Sequence, residues 1–201
     1  MDKKECLKIL VEDIHSTVIA TIDMNGKPTT RVIDVMLEDG DSIYFLTAKG
    51  KEFYSQLMDQ SYISLSGIRD KKSINIKGTV LNIGKVKLDE IFEKNVYMQS
   101  IYPEGKRDAL EVFRVEEGEM DYFDISDPSH IERGHFSIGG QMIPTGGYYI
   151  NDNCILCGTC YAACPQACID ITKNPVVIDQ NHCLHCGTCM GVCPVNAVEK
   201  R

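Results

Sequence analysis

The chain has 201 residues, of which 43% are hydrophobic and 25% are charged, and its formal net charge is −8 at pH 7. This is the composition of a globular protein, and its acidity argues against a nucleic-acid partner. No run of about 18 apolar residues is present and the first residues lack the apolar core of a signal peptide, so we expect a cytoplasmic protein with no membrane partner.

The first region begins with an amphipathic helix, predicted over residues 2–16, and continues with short β-branched runs. A strand over 17–23 leads into a hairpin turn at Asn25 and Gly26. The later predicted elements are strands over 29–37 and 42–47, a helix over 49–60, strands over 61–68 and 73–83, a helix over 88–96, and a hairpin of strands over 112–115 and 120–125 around a turn at 116–119. Roughly six or seven short antiparallel strands with two or three helices predict a closed or half-closed β-barrel.

The stretch over 127–147 is rich in glycine, proline and serine, and this composition marks a boundary. Within it, His135, Phe136, Ile138 and Met142 are suited to pack against the barrel. We therefore predict a barrel over 1–126, an ordered connection over 127–146 and a smaller second domain over 147–201.

The second domain carries two copies of the pattern C-x2-C-x2-C-x3-C-P. This pattern is that of bacterial two-cluster ferredoxins, in which three cysteines of one copy and the fourth of the other hold each 4Fe–4S cluster. The resemblance implies a small α+β ferredoxin-like domain with two 4Fe–4S clusters. It assigns one cluster to Cys154, Cys157, Cys160 and Cys193, and the other to Cys183, Cys186, Cys189 and Cys164.

Zinc and disulfide bonds are the alternative uses of these cysteines. A zinc site favours two C-x2-C pairs separated by a spacer, and disulfides form in an oxidising compartment, for which no targeting signal is present. Gly158 and Gly187 lie where the backbone of each cluster loop must bend, which agrees with the cluster interpretation.

Other cysteines and histidines fall outside the repeated pattern. We interpret Cys6 as a packed thiol, and Cys168 as a packed thiol near a cluster or, alternatively, a spare or replacement ligand. His182 and His185 adjoin a cluster cysteine and are expected to form hydrogen bonds near the cluster instead of binding iron. His135, with Arg133 beside it, is either structural or part of a flavin site if the connection covers the barrel.

The order of elements over 17–67 resembles that of the pyridoxamine 5'-phosphate oxidase-like family of FMN-binding split barrels. The shared features are an N-G hairpin, a strand that begins with Arg31, a D-G hairpin, a strand that ends in Thr47, and a helix start that contains lysine. The resemblance implies a mostly β, antiparallel split barrel that binds FMN and forms a homodimer through the barrel.

The resemblance also implies which residues contact the flavin. Thr47, Lys49 and Lys51 lie at a strand-to-helix junction of the kind that binds phosphate, and Arg31 opens the neighbouring strand. We favour Lys51 over Lys49. The remaining implied contacts are the backbone of Val32, Ile33, Asp34 and Val35 along the ring, and a polar residue near the start of the 73–83 strand, Ser73. The alternative is that the lysines and Arg31 are solvated charges on a barrel without a ligand.

Two departures from the oxidase members argue against pyridoxamine phosphate as the substrate. Met36 stands where those members have lysine, and their Arg-Leu-Pro substrate motif is missing. No G-x-G-x-x-G or P-loop sequence is present, so no dedicated dinucleotide site is encoded.

We therefore expect an FMN-dependent iron–sulfur oxidoreductase that exchanges electrons with a small-molecule substrate or a redox partner protein. One alternative is a flavin-linked electron carrier without a substrate of its own. Another is a non-enzymatic redox sensor, or a barrel that binds haem or another tetrapyrrole.

Overall fold

A computed structural model of the chain describes residues 1–140 and 146–201. Two units are distinguished: the first comprises Met1–Tyr122 with Phe136–Ile143, and the second comprises Phe123–His135 with Pro144–Arg201. Residues of the stretch predicted as a connection therefore fall in both units. Met142, which the sequence places in that stretch, lies outside the described residues.

The first unit begins with a capped helix. Asp2 accepts a hydrogen bond from the backbone of Glu5, and the Glu5 side chain accepts one from the backbone of Asp2, so a capping box starts the helix. The helices of this part are α1 (Lys3–Lys8), which continues as a π-helical segment (Ile9–Ile14), α2 (Glu52–Gln60), α3 (Leu88–Lys94) and α4 (Met98–Ile101). The strands are β1 (Ser16–Ile22), β2 (Pro28–Asp34), β3 (Leu37–Glu38), β4 (Ile43–Ala48), β5 (Tyr62–Arg69), β6 (Lys72–Gly84), β7 (Leu110–Asp124) and β8 (Glu132–Ile138).

These strands form one sheet in the order β2-β1-β5-β6-β7-β4-β3, with β8 paired to β7. The pairs β1–β2, β1–β5, β5–β6, β3–β4 and β4–β7 are antiparallel. Side chains of β1 alternate between exposed and buried, as expected for a strand with one face on the core. The predicted antiparallel, mostly β fold is confirmed.

One predicted hairpin is wrong. Residues 116–119, expected to form a turn, lie inside the continuous strand β7. The reason is a close crossing with β6: a Cβ atom on Gly78 would lie 2.2 Å from the carbonyl oxygen of Glu117. Lys77 of β6 also pairs with Glu119 at 2.5 Å. A turn needs space that this approach of two backbones removes.

The main core of the first unit lies against one face of the sheet, and a second buried cluster, which includes Tyr44, Phe92 and Val112, packs on the other face of β4 and β7. The largest fully buried side chains of the main core include Phe45, Phe113 and Tyr122, with Leu7 and Leu10 of the N-terminal helical segment. Cys6 belongs to this main core and is fully buried, and burial raises the pKa of its thiol to about 12. Cys6 is thus a packed thiol, as predicted.

The second unit repeats one short structural pattern. Its elements are β9 (Tyr148–Ile150), α5 (Thr159–Ala163), β10 (Ile169–Asp170), β11 (Val177–Ile178), α6 (Thr188–Gly191) and β12 (Val198–Lys200). β9 pairs with β12 and β10 pairs with β11. Positive φ angles recur at equivalent positions of the two cysteine repeats, which are Leu156 and His185, Gly158 and Gly187, and Ala167 and Asn196. The sequence repeat is therefore also a repeat of backbone conformation.

Candidate iron–sulfur and flavin sites

The eight repeated cysteines line two separate cavities. The cysteines of the first are Cys154, Cys157, Cys160 and Cys193, and those of the second are Cys164, Cys183, Cys186 and Cys189. Each cavity thus combines three cysteines of one repeat with the fourth of the other, the same grouping that the spacing predicts.

Apolar side chains complete both cavities. Ile150, Val176 and Val198 contribute to the first, and Tyr148, Ile169 and Ile178 to the second. These walls suit an inorganic cluster, because limited solvent access and low dielectric help set its reduction potential.

Hydrogen bonds to sulfur also repeat. The hydroxyl oxygen of Thr159 lies 3.3 Å from Cys157 Sγ, and that of Thr188 lies 3.3 Å from Cys186 Sγ. The threonine contact lowers the pKa of each of these two cysteines, which favours the thiolate that binds metal.

Cys168 is the one further cysteine of the second cavity. Its Sγ lies 3.5 Å from Cys164 Sγ. Ala197, its counterpart in the other repeat, lines the first cavity. The cavities therefore differ by one thiol, which agrees with both predicted roles of Cys168: a packed thiol near the cluster or a spare ligand.

His182 and His185 do not line either cavity. The His182 Nδ1 atom lies 2.8 Å from the carbonyl oxygen of Ile131, and the His182 ring contacts that of His130 with a centroid distance of 3.8 Å. His185 approaches a cysteine through its backbone, because its N–H donates to Cys183 Sγ at 3.4 Å. The expected hydrogen bond near the cluster is therefore made by the His185 backbone, and His182 anchors the segment around Ile131.

Arg133 also contributes to this anchoring within the second unit. Its backbone N–H donates to the carbonyl oxygen of Asn181 at 2.7 Å, and its guanidinium lies 5.0 Å from the ring centre of Phe123. These contacts hold Arg133 against Asn181 and Phe123 within the second unit.

The predicted flavin strand, β2, is an edge of the sheet. Among the described strands it pairs with β1 alone. The N–H of Val35 donates to the carbonyl oxygen of His15 at 2.9 Å, so alternate residues of β2 bond to β1, and the backbone groups of Val32 and Asp34 face the open edge. A flavin ring edge, which has both donors and acceptors, fits such a backbone.

Arg31 and Ile33 point to the opposite face of the sheet from Val32 and Asp34. The Arg31 guanidinium donates to Thr21 Oγ1 at 2.7 Å and to Gln56 Oε1 at 2.8 Å, and it lies 4.4 Å from the ring centre of Phe53. Arg31 is therefore brought to the first half of α2.

The junction between β4 and α2 offers a cradle for an anionic group. The Thr47 hydroxyl is buried and makes no hydrogen bond with any residue that the structure describes. Lys51 is the N-cap residue of α2, and its side chain does not cap the helix. Its carbonyl oxygen accepts from the Tyr54 N–H at 3.0 Å, which leaves the N–H groups of Glu52 and Phe53 to bind an anion. These features fit the phosphate of FMN.

Lys49 is held differently from Lys51. Its ammonium forms an ion pair of 2.7 Å with Glu111, and the same carboxylate accepts hydrogen bonds from Tyr54 and Asn82, each at 2.7 Å. The arrangement agrees with the preference for Lys51 as the phosphate contact.

Ser73, the polar residue expected to complete the ring contacts, is not adjacent to β2. It lies on β6, which is separated from β2 by β1 and β5. Thr21, Gln56 and Glu111 are contacts that the sequence did not reveal, because only the fold brings these three residues to Arg31 and Lys49.

Together, the half-barrel and the paired four-cysteine cavities define an electron-transfer protein. Residues 3–120 match the family model described as pyridoxamine 5'-phosphate oxidase, and residues 153–197 match the model described as a 4Fe-4S dicluster domain. The chain belongs to the pyridoxamine 5'-phosphate oxidase family and carries an added dicluster domain. Both matches agree with the cofactors predicted from the sequence, FMN for the first region and two 4Fe–4S clusters for the second.

Individual relatives are distant. A pyridoxine/pyridoxamine 5'-phosphate oxidase of Bacteroides thetaiotaomicron is 28% identical over 101 residues, which cover 49% of this chain and 47% of that protein. The chain thus spans about half the length of this curated relative.

Solved structures share the fold at low sequence identity. A NimC/NimA family protein from Clostridium acetobutylicum has a TM-score of 0.57 and 16% identity, over 69% of this chain and 95% of that one. A heme binding protein from Mycobacterium smegmatis has a TM-score of 0.52 and 10% identity, over 67% and 58%. No described helix has the length and apolar character needed to cross a membrane.

Proposed function

We propose that the protein is an FMN-dependent iron–sulfur oxidoreductase that passes electrons between two 4Fe–4S clusters and a flavin, which reduces or oxidises a small substrate. The observation that carries this proposal is the sorting of the eight cysteines into two cavities with crossed membership, in a chain whose other domain belongs to a flavin-type oxidase family. A flavin supplies the exchange between single electrons and electron pairs.

The ligands of the clusters are the eight cysteines in their two groups. Thiolate binding needs a reducing environment, and the chain has ten cysteines, so the proposal includes a cytoplasmic location. Cys168 is left out of the ligand set because each cavity already provides four repeated cysteines.

The flavin phosphate is assigned to Lys51, Thr47 and the start of α2, with Arg31 as the neighbouring cation. Of the predicted ring contacts, Val32 and Asp34 hold the ring through the backbone groups that face the open edge of β2, whereas the backbone groups of Ile33 and Val35 bond on the β1 side. Ser73, on β6, stays a predicted contact. Arg31→Ala with Lys51→Ala is expected to weaken flavin retention at least about tenfold, since a hydrogen bond to a charged group contributes roughly 1.5 to 3 kcal/mol. Full flavin occupancy in the double variant would place the phosphate elsewhere.

We also propose a homodimer formed through the barrel. Val18 and Val32 face each other on adjacent strands, on the sheet face opposite the core, and are 46% and 69% exposed. Exposed apolar side chains on one sheet face favour a protein partner. Light scattering at micromolar concentration is expected to give twice the 22.5 kDa chain mass, and a monomer would contradict the proposal.

Anaerobic purification followed by cofactor analysis tests the function. We expect about eight iron and eight sulfide per chain, and a yellow, fluorescent extract after acid treatment. A Soret band in the extract would instead identify a tetrapyrrole-binding barrel. Turnover with small electron acceptors separates an oxidoreductase from an electron carrier, which would exchange electrons only with a protein partner.

A further inference from the structure

Three side chains from distant parts of the first unit form a hydrogen-bonded chain at the end of β2. The His15 Nε2 atom lies 3.0 Å from the hydroxyl oxygen of Tyr97, and this hydroxyl donates to Asp34 Oδ2 at 2.6 Å. Ser16 donates to the other carboxylate oxygen, Oδ1, at 2.6 Å. The chain His15–Tyr97–Asp34 thus has two ionisable ends and one hydroxyl bridge.

The hydrogen bonds fix where the protons lie. His15 Nδ1 is 3.2 Å from the carbonyl oxygen of Val11, which only accepts, so Nδ1 carries a proton. The Tyr97 hydroxyl has one proton, which it donates to Asp34. A hydrogen bond between His15 Nε2 and the Tyr97 oxygen therefore requires Nε2 to be the donor. A neutral His15 ring would require the Tyr97 hydroxyl to turn away from Asp34. The chain therefore accommodates one exchangeable proton.

His15 is held rigidly for this role. It has φ 58° and ψ −65°, a conformation that residues other than glycine rarely adopt. Its N–H donates to the carbonyl oxygen of Leu10 at 2.8 Å, and its carbonyl oxygen accepts from Val35 at 2.9 Å. The imidazole also packs edge-on against the Tyr97 ring, with a centroid distance of 5.8 Å.

The charges around the chain support an ionised carboxylate at its end. Burial alone would raise the pKa of Asp34, but hydrogen bonds from Ser16 and Tyr97 and the charge of His15 lower it below its usual range. Other charged groups on the adjoining elements are Glu12 and Asp13 of the π-helical segment and Arg69 of β5, whose guanidinium donates to the Asp13 carbonyl oxygen. None of these three is bonded to the Asp34 carboxylate in the described part of the chain.

The position of Asp34 relates the hydrogen-bonded chain to the proposed flavin site. Its backbone faces the open edge of β2, where the proposed function places the flavin ring, and its side chain is the end of the hydrogen-bonded chain that lies on this strand. The side chains of His15 and Asp34 are 30% and 28% exposed, so solvent reaches the His15 end of the hydrogen-bonded chain as well as the Asp34 end.

We propose that His15, Tyr97 and Asp34 form a proton relay that serves the flavin edge of β2. This inference rests on the proposed function. When bound, the oxidised flavin would take up two electrons, one from each reduced 4Fe–4S cluster, together with one proton that the relay supplies. The His15 Nε2–H bond breaks as a proton passes to Tyr97, the Tyr97 proton passes to Asp34, and Asp34 releases it. His15 then takes a proton from solvent.

The first test measures the protonation of the His15 ring nitrogens and does not require flavin reduction. In protein labelled with ¹⁵N-histidine, of which the chain has 5 residues, His15 is identified by the signal lost in His15→Gln. We expect Nδ1 to carry a proton that is donated to the Val11 carbonyl oxygen, and Nε2 to be hydrogen-bonded to the Tyr97 hydroxyl. Tyr97→Phe, which removes only the hydroxyl, is expected to change the ¹⁵N signal of His15 Nε2, whereas Tyr102→Phe leaves it unchanged. A neutral ring with the proton on Nε2 would overturn the relay.

The second test measures the rates of flavin reduction and cluster reduction in the protein with its cofactors bound. After mixing with a chemical reductant, Tyr97→Phe is expected to slow flavin reduction by about tenfold or more while cluster reduction keeps its wild-type rate. The Tyr102→Phe variant should match the wild type in both phases. Equal rates of flavin reduction in the two variants would refute the relay and leave the proposed function standing. Absence of flavin from the wild type would refute the proposed function, and the state of His15 would still decide whether the proton chain exists.

Discussion

Cys168 shows how a single residue distinguishes two otherwise similar sites. Its Sγ lies 3.5 Å from Cys164 Sγ in the second cavity, where the first cavity has Ala197. Because the repeats already supply four cysteines to each cavity, we expect Cys168→Ala to retain about eight iron per chain. Cys164→Ala is the matched variant and should reduce the iron content. Loss of iron in Cys168→Ala, with full retention in Cys164→Ala, would make Cys168 the ligand.

Glu111 is a second residue whose surroundings matter, because they determine the pKa of its carboxyl group. Hydrogen bonds from Lys49, Asn82 and Tyr54, together with the Lys49 charge, lower its pKa from 4.5 to about 2. A lowered pKa in the fold means that the carboxylate stabilises the protein above about pH 4.5, and that this contribution is lost as the pH falls toward 2.

We therefore expect Glu111→Gln to reduce the free energy of unfolding by about 1 kcal/mol at pH 7, a modest figure because solvent reaches the ion pair. The difference from the wild type should decline below about pH 4.5 in urea titrations at a series of pH values. Glu93→Gln, at an exposed position of α3, is the control and should change little. A difference that grows on acidification would contradict the assigned direction of the pKa shift.

At the scale of elements, strands with one buried face were predictable. The predicted strands over 17–23 and 61–68 correspond to Ser16–Ile22 and Tyr62–Arg69, because their side chains alternate between core and solvent. The hairpin predicted over 112–125 failed because Gly118 and its charged neighbours read locally as a turn. Their strand conformation depends on the crossing with β6, which sequence periodicity does not record.

That crossing gives a prediction about Gly78. A Cβ atom there would meet the carbonyl oxygen of Glu117 at 2.2 Å, so Gly78→Ala must separate β6 from β7. We expect a loss of about 3 kcal/mol in the free energy of unfolding, measured by denaturant titration. Gly50→Ala is the control, since no atom lies within 4 Å of a Cβ at that position. Equal stability of the two variants would show that the strands do not approach so closely.

Across the whole molecule, the two kinds of site differ in how far the sequence revealed them. The grouping of cysteines followed from spacing, because all eight lie in one repeated segment whose pattern specifies a crossed pairing. The chain of His15, Tyr97 and Asp34 combines single residues from a helix end, a strand end and the connection between two helices. No local pattern marks such a site, since the tertiary fold alone brings these residues together.

The crossed grouping also predicts how the dicluster domain loses its clusters. Cys157 and Cys193 belong to different repeats but line the same cavity, whereas Cys157 and Cys164 belong to one repeat but line different cavities. We expect Cys157→Ala and Cys193→Ala to affect the same cluster and leave the same residual electron paramagnetic resonance spectrum after reduction. Each should retain about four to seven iron, depending on whether that cluster is lost or converted to a three-iron form. Cys164→Ala should instead leave the spectrum of the cluster in the first cavity, which Cys154, Cys157, Cys160 and Cys193 line. If Cys157→Ala and Cys164→Ala gave the same spectrum and Cys193→Ala a different one, each cluster would be held within a single repeat, and the crossed assignment would be wrong.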